Sequence, residues 1–233
     1  MSRPMYVASC SGGKDSVATL LLAAQHNEPL DEAVFSEVMF DHALSGEVPE
    51  HRDFIYDKLK PFCEKELGVK FTILHGPKTY DDIFHHIIVR GPHQGEKRGF
   101  AWAGMCAANR ECKTNPMRRY NKTLSPDTIS YVGIAIDEPK RLARLEGTPK
   151  VSLLAKYGLT EADALKLCAD HDLLSPIYGL SLIHISRSSL PKTKRCFSGS
   201  ALVLWSLCCL QPVSALALPC SLQPAHPLLH PPT

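Results

Sequence analysis

The chain has 233 residues, of which 44% are hydrophobic, and its formal net charge is +2 at neutral pH. That length accommodates one domain with a full hydrophobic core, and the near-neutral charge gives only weak support to a nucleic-acid-binding protein. Residues 1–179 contain neither a signal peptide nor a membrane-spanning run, and their five cysteines lack the spacing of a disulfide framework. We therefore expect a reduced, cytoplasmic protein without a membrane partner.

The composition changes abruptly near Gly179. Residues 180–233 contain no acidic residue and are rich in proline and cysteine. We predict a folded domain over residues 1–179 and a tail over residues 180–233 that packs little against it. Since "LSLIHIS" resembles translated sequencing-adapter text, our first interpretation of the tail is non-native read-through. A native disordered tail and a membrane-spanning segment at 201–218 are the alternatives.

The first predicted elements are a short buried strand over 5–9 and an alanine- and leucine-rich helix over 17–24. A strand-to-helix turn between them presents free backbone N–H groups and the positive end of a helix dipole, which both favour an anion. Glycines in such a turn let the anion approach the backbone, while lysine and serine side chains donate hydrogen bonds to it. The turn therefore predicts a phosphate-binding loop rather than an ordinary helix cap. It is the hexamer "SGGKDS": Ser11, Gly12, Gly13, Lys14, Asp15 and Ser16.

Strand and helix patterns alternate along the rest of the domain. Strands are predicted over 33–40, 69–74 and 127–136. Helices are predicted over 50–67, with a kink expected near Pro61, and over 161–171 after a Thr160 cap. This order predicts an α/β fold with an open, mostly parallel, doubly wound sheet and helices on both faces. Ligands of such sheets bind at the carboxyl ends of the strands, where the hexamer lies.

The hexamer fits neither G-x-x-x-x-G-K-[ST] nor G-x-G-x-x-G. Its S-G-G-x-D-S pattern resembles the pyrophosphate loop (PP-loop) of the N-type ATP pyrophosphatases, a superfamily that includes the phosphoadenosine phosphosulfate reductase family. The resemblance covers about residues 5–178 and continues through "GIAIDEPKRLARL" and "LLSPIY". It implies an adenine nucleotide alpha hydrolase-like fold, ATP or a related adenine nucleotide with Mg²⁺, and chemistry near the α-phosphate. It also implies that the whole hexamer binds the nucleotide, with Lys14 and Asp15 as catalytic residues.

Charged residues follow the second and fourth predicted strands. In "FDHALSGEVPEH", Asp41 is a candidate catalytic residue that holds Mg²⁺ or the nucleotide sugar. In "AIDEPKRLARL", the resemblance implies nucleotide binding by Asp137 and Glu138 and a catalytic role for Arg141 on phosphate or sulfate oxygens. The alternatives are solvated loop charges after the second strand and an ordinary helix start after the fourth.

The segment over 90–120 combines glycines with many basic residues. We expect a mobile region that contacts anions over the active cleft. Its aromatic residues Phe100, Trp102 and Tyr120 leave nucleic acid open as a weakly supported partner. The basic residues are Arg90, Lys97, Arg98, Arg110, Lys113, Arg118 and Arg119.

Cys106 and Cys112 are too loosely spaced for a zinc knuckle on their own. Members of the resembled family most like this chain continue after "LLSPIY" with C-x-x-C, and an intact homologue would then have four thiolates for an iron–sulfur cluster or zinc. This chain departs from the family at Gly179. We therefore predict no metal centre in the chain as given and treat its cysteines as structural thiols.

Three functions remain open at this stage. The first is an enzyme that uses ATP for adenylyl or sulfur transfer to an unidentified second substrate and releases pyrophosphate. The second is a sulfonucleotide reductase that lacks its catalytic tail, because the family's E-C-G-[LI]-H motif is absent and Glu111-Cys112 is followed by Lys113. The third is a nucleotide-binding partner in a nucleic-acid-modifying complex.

Overall fold

A computed structural model describes residues 3–99 and 106–179 of the chain. The predictions for the tail over 180–233, and those for Phe100 and Trp102, lie outside the described residues. Within the described part, five strands form one parallel sheet in the order β3-β2-β1-β4-β5, which confirms the predicted α/β class. The strands are β1 (Tyr6–Ser9), β2 (Glu32–Glu37), β3 (Lys70–His75), β4 (Ile129–Tyr131) and β5 (Lys150–Val151).

Seven longer helices and one 3₁₀ turn, Pro176–Tyr178, connect and flank the strands in the described part. None of them combines the length and the apolar character that crossing a bilayer requires. The backbone torsions at Pro61 are helical. The turn after it is a π-helical turn, in which an N–H bonds to the carbonyl five residues earlier, as Leu67 N–H does to Phe62 O at 3.1 Å. The helices are α1 (Lys14–Gln25), α2 (49–66, in the segments Pro49–Asp53, Phe54–Leu59 and Phe62–Glu66), α3 (Tyr80–Phe84), α4 (109–121, in the segments Asn109–Thr114 and Asn115–Asn121), α5 (Pro139–Leu142), α6 (Leu153–Lys156) and α7 (Glu161–Asp170).

All six residues of β2 are buried, because helices cover both faces of the sheet at this strand. Phe35 packs into the main core with residues of α1 and α2. Side chains of alternate residues point to the opposite face. There Ser36 donates a hydrogen bond to the carbonyl of Cys112 at 3.3 Å, and Glu32 accepts one from the hydroxyl of Tyr120 at 2.6 Å. Both contacts lie in α4, so the predicted two-sided sheet is confirmed.

The second and fourth strands are shorter than predicted. After β2 the chain turns back on itself, with Gly46 N–H donating to Val38 O at 2.7 Å and Phe40 N–H donating to Leu44 O at 2.8 Å. After β4 the chain leaves the sheet at Gly133, which packs against the first turn of α1. After β2 a local turn satisfies backbone groups that a longer strand would have paired, whereas after β4 the N–H of Ile136 donates to Leu159 O at 2.9 Å.

The segment over 90–120 contains more regular structure than the sequence indicates. Residues 86–99 form a turn closed by backbone bonds from Ile88 to Glu96, at 2.9 Å, and from Arg98 to His86, at 2.8 Å. Helix α4 then covers β2 and β3. Helix α4 and the short elements α3, α6 and β5 were not predicted from the sequence.

A substitution at Gly133 tests how closely the loop after β4 packs against α1. A Cβ atom at this position would lie 2.6 Å from the carbonyl carbon of Asp15 and 2.8 Å from the backbone nitrogen of Ser16. We predict that Gly133→Ala lowers the free energy of unfolding by about 1–3 kcal/mol, as overpacking against backbone atoms does. Urea denaturation checks this, with Gly179→Ala as the control, because the nearest atom to a Cβ there is 3.5 Å away. Equal stability of the two variants would contradict the close contact.

Candidate functional site

The polar hexamer forms the turn between β1 and α1, and the helix begins at Lys14. Gly12 has a φ of 72°, and a Cβ atom there would lie 2.8 Å from Cε1 of His51, so only glycine fits. Ser11 N–H donates to Ser16 Oγ at 3.1 Å, and Ser16 Oγ donates to Gly13 O at 2.9 Å. The serines therefore hold the turn in shape, next to helix N–H groups that have no partner inside α1.

The position of the hexamer in the sheet matches the usual ligand site of open α/β folds. β1 lies between β2 and β4. The chain therefore adds β2 and β3 on one side of β1, and then β4 and β5 on the other side. Ligands bind at such a switch point, outside the carboxyl ends of the strands. The approach of Gly133 to Asp15 and Ser16 brings the loop after β4 against the hexamer. The predicted phosphate loop and the predicted Asp137–Glu138 segment thus meet at one edge of the sheet.

Lys14 lies among carboxylates. Its Nζ is 2.8 Å from Oδ1 of Asp15 and 3.4 Å from Oε2 of Glu161. Burial lowers the pKa of Lys14, but the hydrogen bond to Asp15 and the charge of Glu161 outweigh burial and raise the pKa above its usual value. Burial also raises the pKa of Asp15, and the charges of Glu161 and Glu138 add to that increase. The cluster around Lys14 therefore has more negative than positive charge.

Two contacts that sequence reasoning missed attach the end of the described chain to the hexamer. Lys14 N–H donates to the hydroxyl of Tyr178 at 2.9 Å. Buried His51 lies between the hexamer and Ser175, with Nε2 3.0 Å from Ser11 O and Nδ1 2.7 Å from Ser175 Oγ. Because a carbonyl oxygen only accepts, Nε2 carries the proton, and Nδ1 of the neutral ring accepts from Ser175. The "LLSPIY" stretch pointed to this segment, but no spacing predicts contacts over such a distance along the chain.

The structure places Asp41 in a turn of its own. Its Oδ1 accepts hydrogen bonds from the backbone N–H groups of Ala43 and Leu44, both at 2.7 Å. These bonds lower the pKa of Asp41 and stabilise the loop after β2. No hydrogen bond or ion pair of the described residues joins Asp41 to the hexamer. Its predicted role on Mg²⁺ or the sugar stays a prediction.

The residues predicted after β4 are bonded to one another or to α7. Oδ1 of Asp137 accepts from the backbone N–H of Glu161 at 3.2 Å, which connects this loop to the start of α7. Both carboxylate oxygens of Glu138 lie 2.6 Å from Nη1 of Arg141. In this state Arg141 is paired within its own segment, and its predicted contact with phosphate or sulfate oxygens remains a prediction.

The five described cysteines are free thiols, and all except Cys106 are buried. Cys112 Sγ donates to Lys78 O at 3.2 Å, and burial raises the pKa of Cys112 to about 12. In residues 3–99 and 106–179, no group of three or more histidine, cysteine, aspartate or glutamate side chains is placed to hold a metal ion. Cys106 and Cys112 would be two of the four thiolates that a tetrahedral site needs. The predicted absence of a metal centre stays a prediction.

Comparison with known proteins gives a likeness to solved structures. No protein-family model and no curated protein sequence matches the chain. Among solved structures, the chain is similar to the U34-tRNA thiolase NcsA from Methanococcus maripaludis with its [4Fe-4S] cluster, at a TM-score of 0.43 and 16% identity. The match covers 87% of this chain and 65% of the thiolase chain. The fold class rests on the strand order rather than on this likeness.

His51 gives the site a pH dependence. Burial lowers its pKa below the usual value of 6.5, so the unfolded chain takes up a proton at a higher pH than the folded chain does. The stability that neutral His51 contributes is present above 6.5 and is lost as the pH falls through 6.5 toward the lower folded-state pKa. We predict that the free energy of unfolding falls less between about pH 7.5 and about pH 5.5 in His51→Gln than in the unaltered chain.

Urea denaturation at the two pH values measures this difference. The control is His93→Gln, which removes an exposed histidine that contacts Glu96 and bonds to neither Ser11 nor Ser175. An identical pH dependence in His51→Gln and the unaltered chain would show that His51 is not held neutral between Ser11 and Ser175.

Proposed function

We propose that the chain binds ATP or a related adenine nucleotide with the phosphates on the hexamer, and uses it for adenylyl or sulfur transfer with release of pyrophosphate. The observation that carries the proposal is the geometry of the hexamer. It combines a left-handed Gly12, a helix that begins at Lys14 and a position at the switch point of the sheet. The S-G-G-x-D-S pattern supports the PP-loop superfamily, and "GIAIDEPKRLARL" with "LLSPIY" supports its phosphoadenosine phosphosulfate reductase family.

Each residue of the hexamer has a part in this proposal. The amides near Gly12 and Gly13 and the hydroxyl of Ser11 donate hydrogen bonds to phosphate oxygens, and the Ser16 hydroxyl does so by exchanging its bond to Gly13 O for a phosphate oxygen. Lys14 supplies a positive charge that Asp15 and Glu161 hold in place before the nucleotide arrives. In adenylyl transfer, a substrate oxygen forms a bond to the α-phosphorus while the bond from that phosphorus to pyrophosphate breaks. Charge on the leaving pyrophosphate grows in this step, so Lys14 stabilises it.

The residues around Lys14 fit the Mg²⁺ that accompanies a nucleotide. Asp15, Glu138 and Glu161 interact electrostatically, and their mutual repulsion helps to raise the pKa of Asp15. We propose Asp15 and Glu138 as the side chains that would hold the ion, since Mg²⁺ in such sites uses one or two carboxylates with the phosphates. The ion supplies positive charge that offsets both the carboxylates and the phosphates. Asp41 and Asp137 are proposed to bind the rest of the nucleotide.

Arg141 is proposed to serve the second substrate. Its guanidinium lies at the start of α5, in the segment that the loop after β4 brings against the hexamer. Glu138 accepts both of its short hydrogen bonds in this state. A phosphate or sulfate oxygen offers the same charge-assisted bond, so an anionic substrate and Glu138 compete for Arg141.

The four buried cysteines of the described residues are poorly suited to the nucleophilic role that sulfonucleotide reduction needs. A thiol that attacks sulfur must ionise, and reactive cysteines lie in exposed, positively charged surroundings. Burial instead raises the pKa of Cys10 to about 11 and those of Cys112 and Cys168 to about 12. These thiols stay protonated at neutral pH. Release of pyrophosphate rather than sulfite in an activity assay distinguishes the two reactions.

Replacing Lys14 tests the nucleotide assignment. We predict that Lys14→Ala weakens ATP binding by about 1.5–3 kcal/mol, the value of a charge-assisted hydrogen bond, because the phosphates lose their positively charged partner. Isothermal titration calorimetry with ATP and Mg²⁺ measures the change. The control is Lys166→Ala, which removes an exposed lysine of α7. Equal affinity of Lys14→Ala and the control would refute the placement of the phosphates on the hexamer.

A further inference from the structure

A cleft of about 470 Å³ lies at the carboxyl ends of β2 and β3, at the same edge of the sheet as the hexamer. Its walls come from the loop after β2, the residues after β3, α3, the turn over 86–99 and the start of α4. None of the residues that we assign to the nucleotide lines it. The lining includes His42, Lys78, Asp82, His86, Arg98, Arg110 and Glu111.

The two acidic residues of the cleft are engaged in local hydrogen bonds. Asp82 accepts from the backbone N–H and the hydroxyl of Thr79, at 2.8 and 2.9 Å, in the capping box of α3. Glu111 accepts from Nε of Arg110 at 2.9 Å and from Nδ2 of Asn115 at 3.1 Å. Both carboxylates therefore have partners without any bound ligand.

The basic residues of the cleft are less fully paired. Arg110 has its ion pair with Glu111, but Lys78 and Arg98 form no ion pair with any residue of the described part. The lining thus has three permanent positive charges against two carboxylates that are already hydrogen-bonded. In a cleft, such an excess of positive charge produces a stronger electrostatic potential than on a flat surface, and this potential attracts anions.

Part of the lining of the cleft is apolar. Pro77, Ile83 and Ala107 contribute to the lining, and Ile83 belongs to a small buried cluster with Val38 and Cys112. An apolar surface with a few charged groups around it suits a ligand that has both a flat apolar part and an anionic part. A nucleotide unit has both, in its base and its phosphate.

We propose that this cleft binds the second substrate of the transfer reaction through a phosphate-bearing nucleotide unit, either as a free nucleotide or within an RNA strand. The assignment as second substrate rests on the proposed function. The base packs on Ile83 and Pro77, while Arg98, Arg110 and Lys78 bind the phosphate. Because β2 and β3 end at the same edge of the sheet as β1, the cleft and the hexamer put both substrates at one edge.

A pair of double variants tests this site on the full chain. Arg98→Ala/Arg110→Ala removes two cleft arginines, and Arg90→Ala/Arg118→Ala removes two exposed arginines from the same turn and the same helix, outside the cleft lining. The probes are uridine 5′-monophosphate and a fluorescein-labelled oligouridylate of about ten nucleotides, at one fixed salt concentration. We expect the cleft variant to bind a probe about tenfold more weakly or worse, and the control variant to change by about twofold or less.

The pattern across the probes identifies the source of the phosphate. A loss for the oligouridylate alone supports an RNA strand, and a loss that includes the monophosphate supports a free nucleotide. Failure of both probes to bind the unaltered chain, or an equal loss in both double variants, would overturn the proposal.

Lys14→Ala separates the cleft from the proposed nucleotide site. We expect it to weaken ATP binding and to leave probe binding unchanged, whereas Arg98→Ala/Arg110→Ala does the reverse. Suppose that ATP binding is unchanged in Lys14→Ala while probe binding weakens in the cleft variant. This result would contradict the proposed function and would still support the cleft as a binding site. A probe loss in Lys14→Ala as large as that in the cleft variant would overturn the separate cleft.

Discussion

The contact on which the site depends is the approach of the loop after β4 to the first turn of α1. Gly133 lies so close to the backbone of Asp15 and Ser16 that no side chain fits between them. The contact lies at the switch point, where β1 pairs with β2 on one side and with β4 on the other. It places the hexamer next to the segment of Asp137 and Glu138. This segment is bonded to the start of α7, because Asp137 accepts a hydrogen bond from the backbone N–H of Glu161. Without it the charged residues of the two loops would not form one cluster.

The hexamer is also held from the other side, by residues that come much later in the chain. Neutral His51 donates to Ser11 and accepts from Ser175, while the hydroxyl of Tyr178 accepts the N–H of Lys14. That N–H is one of the helix-terminal donors expected to bind an anion. A phosphate oxygen that approaches Lys14 therefore competes with Tyr178 for this donor. The end of the described chain thus contacts the proposed phosphate loop directly, through Tyr178.

Much of the fold and the core of the site could be predicted from the sequence, because their signals are local. The hexamer shows its glycines, lysine and serines side by side, and the Thr160 capping box marks the start of α7 directly. The second and fourth strands were predicted too long, because the chain turns back at Gly46 and leaves the sheet at Gly133 while both patterns remain apolar. His51 and Tyr178 could not be assigned, since their roles depend on contacts between distant parts of the chain. The basic cleft likewise forms only when α3, α4 and the turn over 86–99 come together.

Hydrogen–deuterium exchange of the full chain, with and without ATP and Mg²⁺, tests the central claim most directly. Nucleotide phosphates on the hexamer would bind its amides and bring the loop after β4 into the same complex. We predict that ATP slows exchange in peptides covering 10–17 and 132–138, and leaves the outer strands and α4 unchanged. Unaltered exchange in both peptides at saturating ATP, or protection elsewhere alone, would contradict a nucleotide site at the switch point.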